Sequence, residues 1–257
     1  MRDSREFVNM TLELKPSPQP LPTVGEREFW PRGEGDHITP SQFLSDLRAT
    51  RFECAFNPFA DRCAVHDWAK APETRAKILL GLLTAAERRG TRSLWLGRDF
   101  GWRGGRRSGL AFTDDAHFLE HLARFGLKIA RPTQGPPMAE RTAAALWDAL
   151  RGSDETFFLW NVFPLHPHKP GAPFSNRAHN AAERTAGEAI LCALIGLLRP
   201  ARILAVGRDA ERAAARLAPG LERVALRHPS FGGEARFRAQ IAALRRDTRA
   251  SPQFRPI

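Results

Sequence analysis

The chain has 257 residues, a hydrophobic content of 42% and a formal net charge of +11. This length and composition are enough for one large α/β domain and argue against global disorder. The three cysteines (Cys54, Cys63 and Cys192) lack CxxC spacing, which argues against a disulfide framework and against a four-cysteine zinc or iron–sulfur site.

The same sequence predicts neither a signal peptide nor a membrane span. No apolar run follows Met1, and no apolar stretch has the length needed to cross a bilayer. The excess positive charge comes almost entirely from arginine. It reflects either a genomic bias toward alanine and arginine codons or a polyanionic partner such as nucleic acid, because arginine pairs bidentately with phosphate. Charge alone does not decide between the two.

The N-terminal part of the chain is predicted to be irregular. Residues 1–38 are rich in proline, glycine and charge, which indicates an arm ahead of a single domain at 39–257. A short helix is predicted in "TPSQFLSDLRAT". A long amphipathic helix is predicted in "APETRAKILLGLLTAAERRG", where Pro72 suits the first turn and Gly90 follows the last.

From residue 93 onward, buried strands alternate with amphipathic helices. The strands are predicted at 93–97, in "ETFFLW", in "ARILAVG" and in "ERVALRHPS", with "GLKIAR" as a weak further candidate. The helices are predicted at 115–125, in "PMAERTAAALWDALRG", at 181–198, in "RDAERAAARLAPG" and in "EARFRAQIAALRR". This alternation predicts a three-layer α/β/α sandwich around a central, mainly parallel, four-stranded sheet.

Three polar residues follow the predicted strands. Asp99 comes after "LWLG", Asn161 after "FFLW" and His228 after "VALR". In parallel sheets of this kind, ligands bind beyond the carboxyl ends of the strands. We therefore expect these three residues to meet on one face of the domain.

The three strand-end segments resemble, in order and spacing, the active-site segments of the uracil-DNA glycosylase superfamily. The segments are "GRDFGWRGGRRSGLAF", "FLWNVFPLHP" and "RHPSFGG", and the resemblance covers about residues 50 to 245. It implies a monofunctional DNA glycosylase without a cofactor, which takes uracil out of the DNA stack, hydrolyses its N-glycosidic bond and releases free uracil. A cytoplasmic, nucleoid-associated, monomeric bacterial protein that has no membrane contact is then expected.

The resemblance also implies roles for individual residues. Asp99 matches the family's aspartate, which stabilises the cationic sugar and positions the attacking water, and His228 matches a histidine that donates to uracil's developing oxyanion. An asparagine at position 161 can accept from N3–H and donate to O4 of uracil, a pattern that cytosine reverses. Phe112 matches a phenylalanine that stacks on the flipped base.

The loop after Asp99 departs from the family's pattern. Phe100 and Gly101 stand where the family has proline and tyrosine, and the chain contains no tyrosine. Because that tyrosine fills the space beside C5 of uracil and rejects thymine, Phe100 or Trp102 is expected to line the base instead. Arg98 replaces a glutamine, so that only its backbone is expected to bind substrate in the family's manner. The loop is similar to that of the superfamily's iron–sulfur branch, although the cluster cysteines are missing.

Basic and polar residues of three loops are expected to hold the phosphates that flank the extruded nucleotide. The expected DNA contacts are Arg103, Arg106, Arg107, His168, Lys169, Ser175, Arg177 and Ser230. Phe231 is either a wedge that enters the base stack or an anchor of its own loop.

Other interpretations stay open at this point. The chain could bind uracil or abasic sites without turning them over, or it could release another deaminated base such as hypoxanthine or xanthine. Zinc binding by His166, His168 and His179 lacks a nearby carboxylate or cysteine, so no metal is expected. The segment "ILAVGRDAER" has too few glycines for a dinucleotide-binding turn.

Overall fold

The computed structural model describes residues 38–250 of the protein, with side chains described through residue 246. The predicted N-terminal arm lies outside these residues, apart from Ile38 at its end. The helices are α1 Pro40–Ala49, α2 Ala71–Arg89, α3 Gly105–Ser108, α4 Phe118–Arg124, α5 Arg141–Leu150, α6 Ala181–Leu198, α7 Arg208–Leu217 and α8 Glu234–Ala250. The strands are β1 Ala55–Phe56, β2 Ser93–Asp99, β3 Phe157–Phe163, β4 His166–Pro167, β5 Arg202–Val206 and β6 Glu222–Leu226. Within this part of the chain, no helix has both the length and the apolarity that crossing a membrane requires.

The central sheet has four parallel strands in the order β3-β2-β5-β6. Strands β2, β3 and β5 consist of near-continuous buried residues, which is typical of a parallel sheet covered on both faces. Strands β1 and β4 form a separate antiparallel pair. The predicted fold class is therefore confirmed, with the small β1–β4 pair as an addition.

Helices cover both faces of this sheet. Along β3, the ring of Phe157 contacts Trp147 of α5, whereas the ring of Trp160 contacts Phe43 of α1. Since successive side chains of a strand point to opposite faces, α1 and α5 belong to different layers. Helices α2 and α6 pack beside α1, and α8 packs beside α5.

The structure differs from the sequence prediction in three places. The segment "GLKIAR" forms no strand, although Leu127 and Ile129 pack against the core from an irregular chain. Its last residue, Arg131, pairs with the buried carboxylate of Asp115 instead of joining the sheet edge. Strand β3 continues to Phe163, so that Asn161 lies inside the strand, and a short helix, α3, forms within the arginine-rich loop.

Helix α6 approaches β3 so closely that one position requires glycine. An ideal Cβ at Gly187 would overlap the carbonyl oxygen of Val162 and lie 3.0 Å from the Cα of Phe163. Both neighbours belong to the strand backbone and cannot rotate away. Gly196, nine residues further along the same helix, has open space around its Cα.

We predict opposite effects of alanine at these two glycines of α6. Gly187→Ala should lower the free energy of unfolding by about 1–3 kcal/mol, because the helix must move off the sheet. Gly196→Ala should raise it by roughly 0.5–1 kcal/mol through helix propensity. Urea denaturation followed by circular dichroism measures both, and equal effects of the two substitutions would contradict the packing described.

Candidate functional site

The carboxyl ends of β2 and β3 and the segment after β6 lie at the same end of the sheet. The parallel register pairs Gly97 with Asn161 and Asp99 with Phe163. His228 lies two residues after the end of β6, and its Cβ lies 3.5 Å from the position that a Cβ at Gly207, after β5, would occupy. The topology thus brings the three residues expected from the sequence to one end of the sheet.

The carboxylate of Asp99 is buried and contacted on both oxygens. Its side chain is only 5% exposed. The Nε of Arg98 donates to Oδ2 at 2.8 Å, and the Nδ1 of His179 contacts Oδ1. These two contacts fix the orientation of the carboxyl group.

His179 is a site residue that the sequence analysis missed. It considered this histidine only as a possible metal ligand, whereas the structure pairs it with Asp99. His179 directly precedes Asn180, which caps α6, and its ring packs edge-on against Phe163 of β3. A cap motif before a long helix could have located the residue in sequence, but the contact with Asp99, 80 positions away, depends on the tertiary fold.

Asn161 and Phe112 form a wall beside β2. An ideal Cβ at Gly97 would overlap the side-chain oxygen of Asn161 and lie 2.6 Å from Cζ of Phe112, so only glycine allows both groups to approach the strand. Asn161 is buried, yet no residue of the described part of the chain donates to or accepts from its amide within hydrogen-bond distance. Phe112 has a left-handed φ of 53°, and its carbonyl accepts from Nε1 of Trp147 at 3.1 Å.

The imidazole of His228 is held as a hydrogen-bond acceptor on one side. The backbone N–H of Ser230 donates to its Nδ1 at 3.1 Å. Burial, together with the positive charges of Arg98 and Arg227, lowers the pKa of His228 below its usual value. The neutral ring therefore carries its proton on Nε2, which can donate to an oxygen in the site.

The loop that carries His228 ends in an exposed aromatic ring. The side chain of Phe231 is 99% exposed, and its φ of 53° is left-handed. Such a conformation is uncommon for a residue other than glycine. The ring projects into solvent three residues after His228, and Ser230 Oγ lies 3.5 Å from Thr142 Oγ1 at the start of α5.

The two aromatic residues expected beside the base have different surroundings. Phe100 is buried in the core, where its ring packs against Phe59. Trp102 packs against Phe174 with ring centroids 6.0 Å apart, under the guanidinium of Arg103. Phe100 therefore faces away from Asp99, because it points to the opposite side of the extended chain.

Two of the three loop arginines lie inside the protein. Arg107 is buried and donates through Nε to Asp115 at 2.7 Å, while Arg106 stacks 3.8 Å above the ring of Phe56. Buried guanidinium groups need such partners, since desolvation of an unpaired charge is costly. Arg103 alone among the three is exposed. A phosphate contact by Arg106 or Arg107 would require these side chains to leave their partners.

The loop before α6 supplies a mixture of exposed and engaged groups. Lys169 is exposed, and its backbone N–H donates to Ser175 Oγ at 3.0 Å. Arg177 forms a bidentate pair with Glu183, both contacts being 2.6 Å. His168 is half-buried and stacks near His166, whose pKa is lowered to about 3 by burial and by Arg106.

One family of known proteins matches this chain. The family model described as "Uracil DNA glycosylase superfamily" matches residues 89–247, more than half of the sequence. The crystal structure of wild-type Pedobacter heparinus SMUG2 has a similar fold, with a TM-score of 0.54 and 16% sequence identity, over 82% of this chain and 98% of that chain. No curated protein matches.

The environment of His228 generates a direct prediction. At pH 7 the imidazole should be neutral with its proton on Nε2, and Arg98→Gln should raise its pKa because a nearby positive charge is removed. NMR titration of the ring nitrogens measures the tautomer and the pKa. Arg88→Gln, on the exposed side of α2, should leave both unchanged. A tautomer protonated on Nδ1, or an identical pKa in the Arg98 variant, would refute the geometry described.

Proposed function

The chain belongs to the uracil DNA glycosylase superfamily, and on that premise we propose that it hydrolyses the N-glycosidic bond of deoxyuridine in DNA. Members of this superfamily are DNA glycosylases, which act on a base taken out of the stack. The observation that carries the proposal is the buried carboxylate of Asp99, oriented by His179 and Arg98 at the end of β2, two residues beyond the Gly97–Asn161 pair. The net charge of +11 supports a DNA partner.

The proposed reaction separates opposite charges. When the bond between C1′ and N1 breaks, the electron pair leaves on uracil and positive charge develops on the sugar. Asp99 stabilises this cation and positions a water molecule, whose oxygen adds to C1′. The water loses one proton and the departing uracil anion gains one, so free uracil and an abasic site remain. No cofactor enters these steps.

The leaving base is stabilised by neutral hydrogen-bond donors. His228 donates from Nε2 to the oxygen on which negative charge accumulates. The support for this role is the hydrogen bond from Ser230 to Nδ1, which leaves the proton on the other nitrogen. A donor already in place at reaction time needs no reorganisation, which is the main source of electrostatic catalysis.

Recognition of uracil is assigned to Asn161 and Phe112. Within the described residues the Asn161 amide, which lies beside Gly97, has no hydrogen-bond partner, so that it can accept from N3–H and donate to O4 of the base. Phe112 lies against the same glycine and can stack on the pyrimidine ring. Cytosine reverses the donor and acceptor at these two atoms and would leave buried groups unpaired, at about 1–3 kcal/mol each.

DNA binding is assigned to the exposed groups around this site. Arg103 and Lys169 are accessible to phosphates, and Phe231 is accessible to the base stack. We assign Phe231 as the wedge because it is 99% exposed three residues after His228, so that its ring is accessible to the base stack. DNA contacts by Arg106 and Arg107 are not needed for this proposal, because both side chains are buried.

The decisive assay uses a DNA strand with a single uracil, followed by alkali to cut abasic sites. Wild-type protein should cleave it, and Asp99→Asn should release uracil at least about 100-fold more slowly. Asp209→Asn is the matched control, because Asp209 also pairs with Arg98 but is 46% exposed on α7. Absence of cleavage by the wild type would refute the proposal. Strands with hypoxanthine or xanthine in the same assay test the alternative base classes.

Two substitutions at His179 test its role in orienting Asp99. His179→Leu removes the donor and should lower kcat by roughly 10–100-fold with little change in KM, because hydrogen bonds to charged groups contribute about 1.5–3 kcal/mol. His179→Asn keeps an N–H near the position of Nδ1 and should recover most of that rate. Steady-state kinetics on the same DNA strand measure kcat and KM separately. Equal rates for the two variants would contradict an orienting role.

A further inference from the structure

A carboxyl group that the mechanism above does not use lies beside the extension of β2. Gly97 and Asp99 are alternate residues of β2, so their Cβ directions point to the same side, and Gly101 follows two residues after the end of that strand. At Gly97 that side holds Asn161 and Phe112. At Gly101 the ideal Cβ position lies 3.1 Å from Oε1 of Glu140. Glu140 therefore lies against the chain that leaves β2, two residues beyond Asp99.

The surroundings of Glu140 keep it between two of the site loops. An ideal Cβ at Gly104 would overlap Oε2 of Glu140, so the glycines of the first loop leave room for this carboxyl group. Thr142, two residues further on, contacts Ser230 in the loop of His228. Within residues 38–246, no side chain or backbone group forms a hydrogen bond with the Glu140 carboxyl, although its backbone N–H donates to Asp114.

The charges around Glu140 favour a bound proton. Burial and the nearby carboxylate of Asp114 raise the pKa of Glu140 to about 7, against the opposing effect of Arg103. The other ionisable groups of this corner are already engaged. His117 pairs with Asp114, and Asp115 accepts from Arg107, Arg131 and the backbone of Met138.

We propose that Glu140 is a specificity-determining residue, which acts as a neutral carboxylic acid and donates a hydrogen bond to a carbonyl oxygen of the extruded base. The proposal rests on the proposed glycosylase function and narrows its substrates to keto bases such as uracil, hypoxanthine and xanthine. A neutral acid with an unused O–H matches a carbonyl oxygen. An ionised carboxylate there would add a second negative charge on the side of Asp99 and would require an amino group on the base.

The test is the pH dependence of uracil release under single-turnover conditions. With an ionisable Glu140, the wild-type rate should fall by about 25-fold between pH 6.5 and pH 8.5, as the proton is lost above a pKa of about 7. Glu140→Gln keeps an N–H donor at every pH, so its rate should fall by no more than about threefold over the same range. Glu222→Gln, a substitution of an exposed carboxylate at the far end of β6, should keep the wild-type profile.

Superimposable profiles of the wild type and Glu140→Gln would overturn the proposal. Glu140→Leu, which has no donor, should be slower than Glu140→Gln at pH 8.5, and equal rates would also overturn it. If the wild type releases no base at any pH, the glycosylase function fails instead. Binding of free uracil to the wild type and to Glu140→Gln, measured by calorimetry at both pH values, then tests the hydrogen bond from Glu140 to the base independently of catalysis. Loss of binding at pH 8.5 only in the wild type supports the proposal, and any other pattern refutes it.

Discussion

The close approach of Asn161 and Phe112 to the bare Cα of Gly97 is the constraint on which the site depends. Parallel pairing of β2 and β3 sets Gly97 opposite Asn161, and any side chain at position 97 would separate them. The same register carries Asp99 two residues beyond Gly97, where His179 reaches it from the start of α6. One strand pairing thus sets the distance between Asp99, which we propose faces the sugar, and Asn161, which we propose faces the base.

The sheet could be predicted from sequence because its strands are apolar on both faces. Short apolar runs between turn residues, such as "LWLG" and "FFLW", have few interpretations other than a buried strand. Since parallel strands share a carboxyl end, the positions of Asp99, Asn161 and His228 followed from topology alone. The prediction of a strand in "GLKIAR" was wrong. A short apolar pattern of this kind suits an irregular segment packed on the core as well as it suits a strand.

The partners of charged side chains could not be predicted in this way. Arg107 and Asp115 form a buried pair that only the tertiary fold creates, and Arg177 is committed to Glu183 in the same manner. A count of arginines therefore overstates the positive surface that DNA can contact. The carboxyl group of Glu140 lies against Gly101 across 39 positions of sequence, a separation at which no local pattern carries a signal.

Burial has opposite effects on the pKa values of His228 and Glu140, the two titratable groups that we propose flank the base. It lowers the pKa of His228 and raises the pKa of Glu140, because desolvation disfavours the charged form of either group. Burial thus favours the neutral, hydrogen-bond-donating form of both side chains, in the case of Glu140 at pH values below its pKa of about 7. Asp99 differs in that both oxygens of its carboxyl group are contacted, by Arg98 and by His179, at the place where we propose that the sugar cation forms. Cleavage of the N-glycosidic bond requires this electrostatic arrangement, in which neutral groups surround the base and an anion lies beside the sugar.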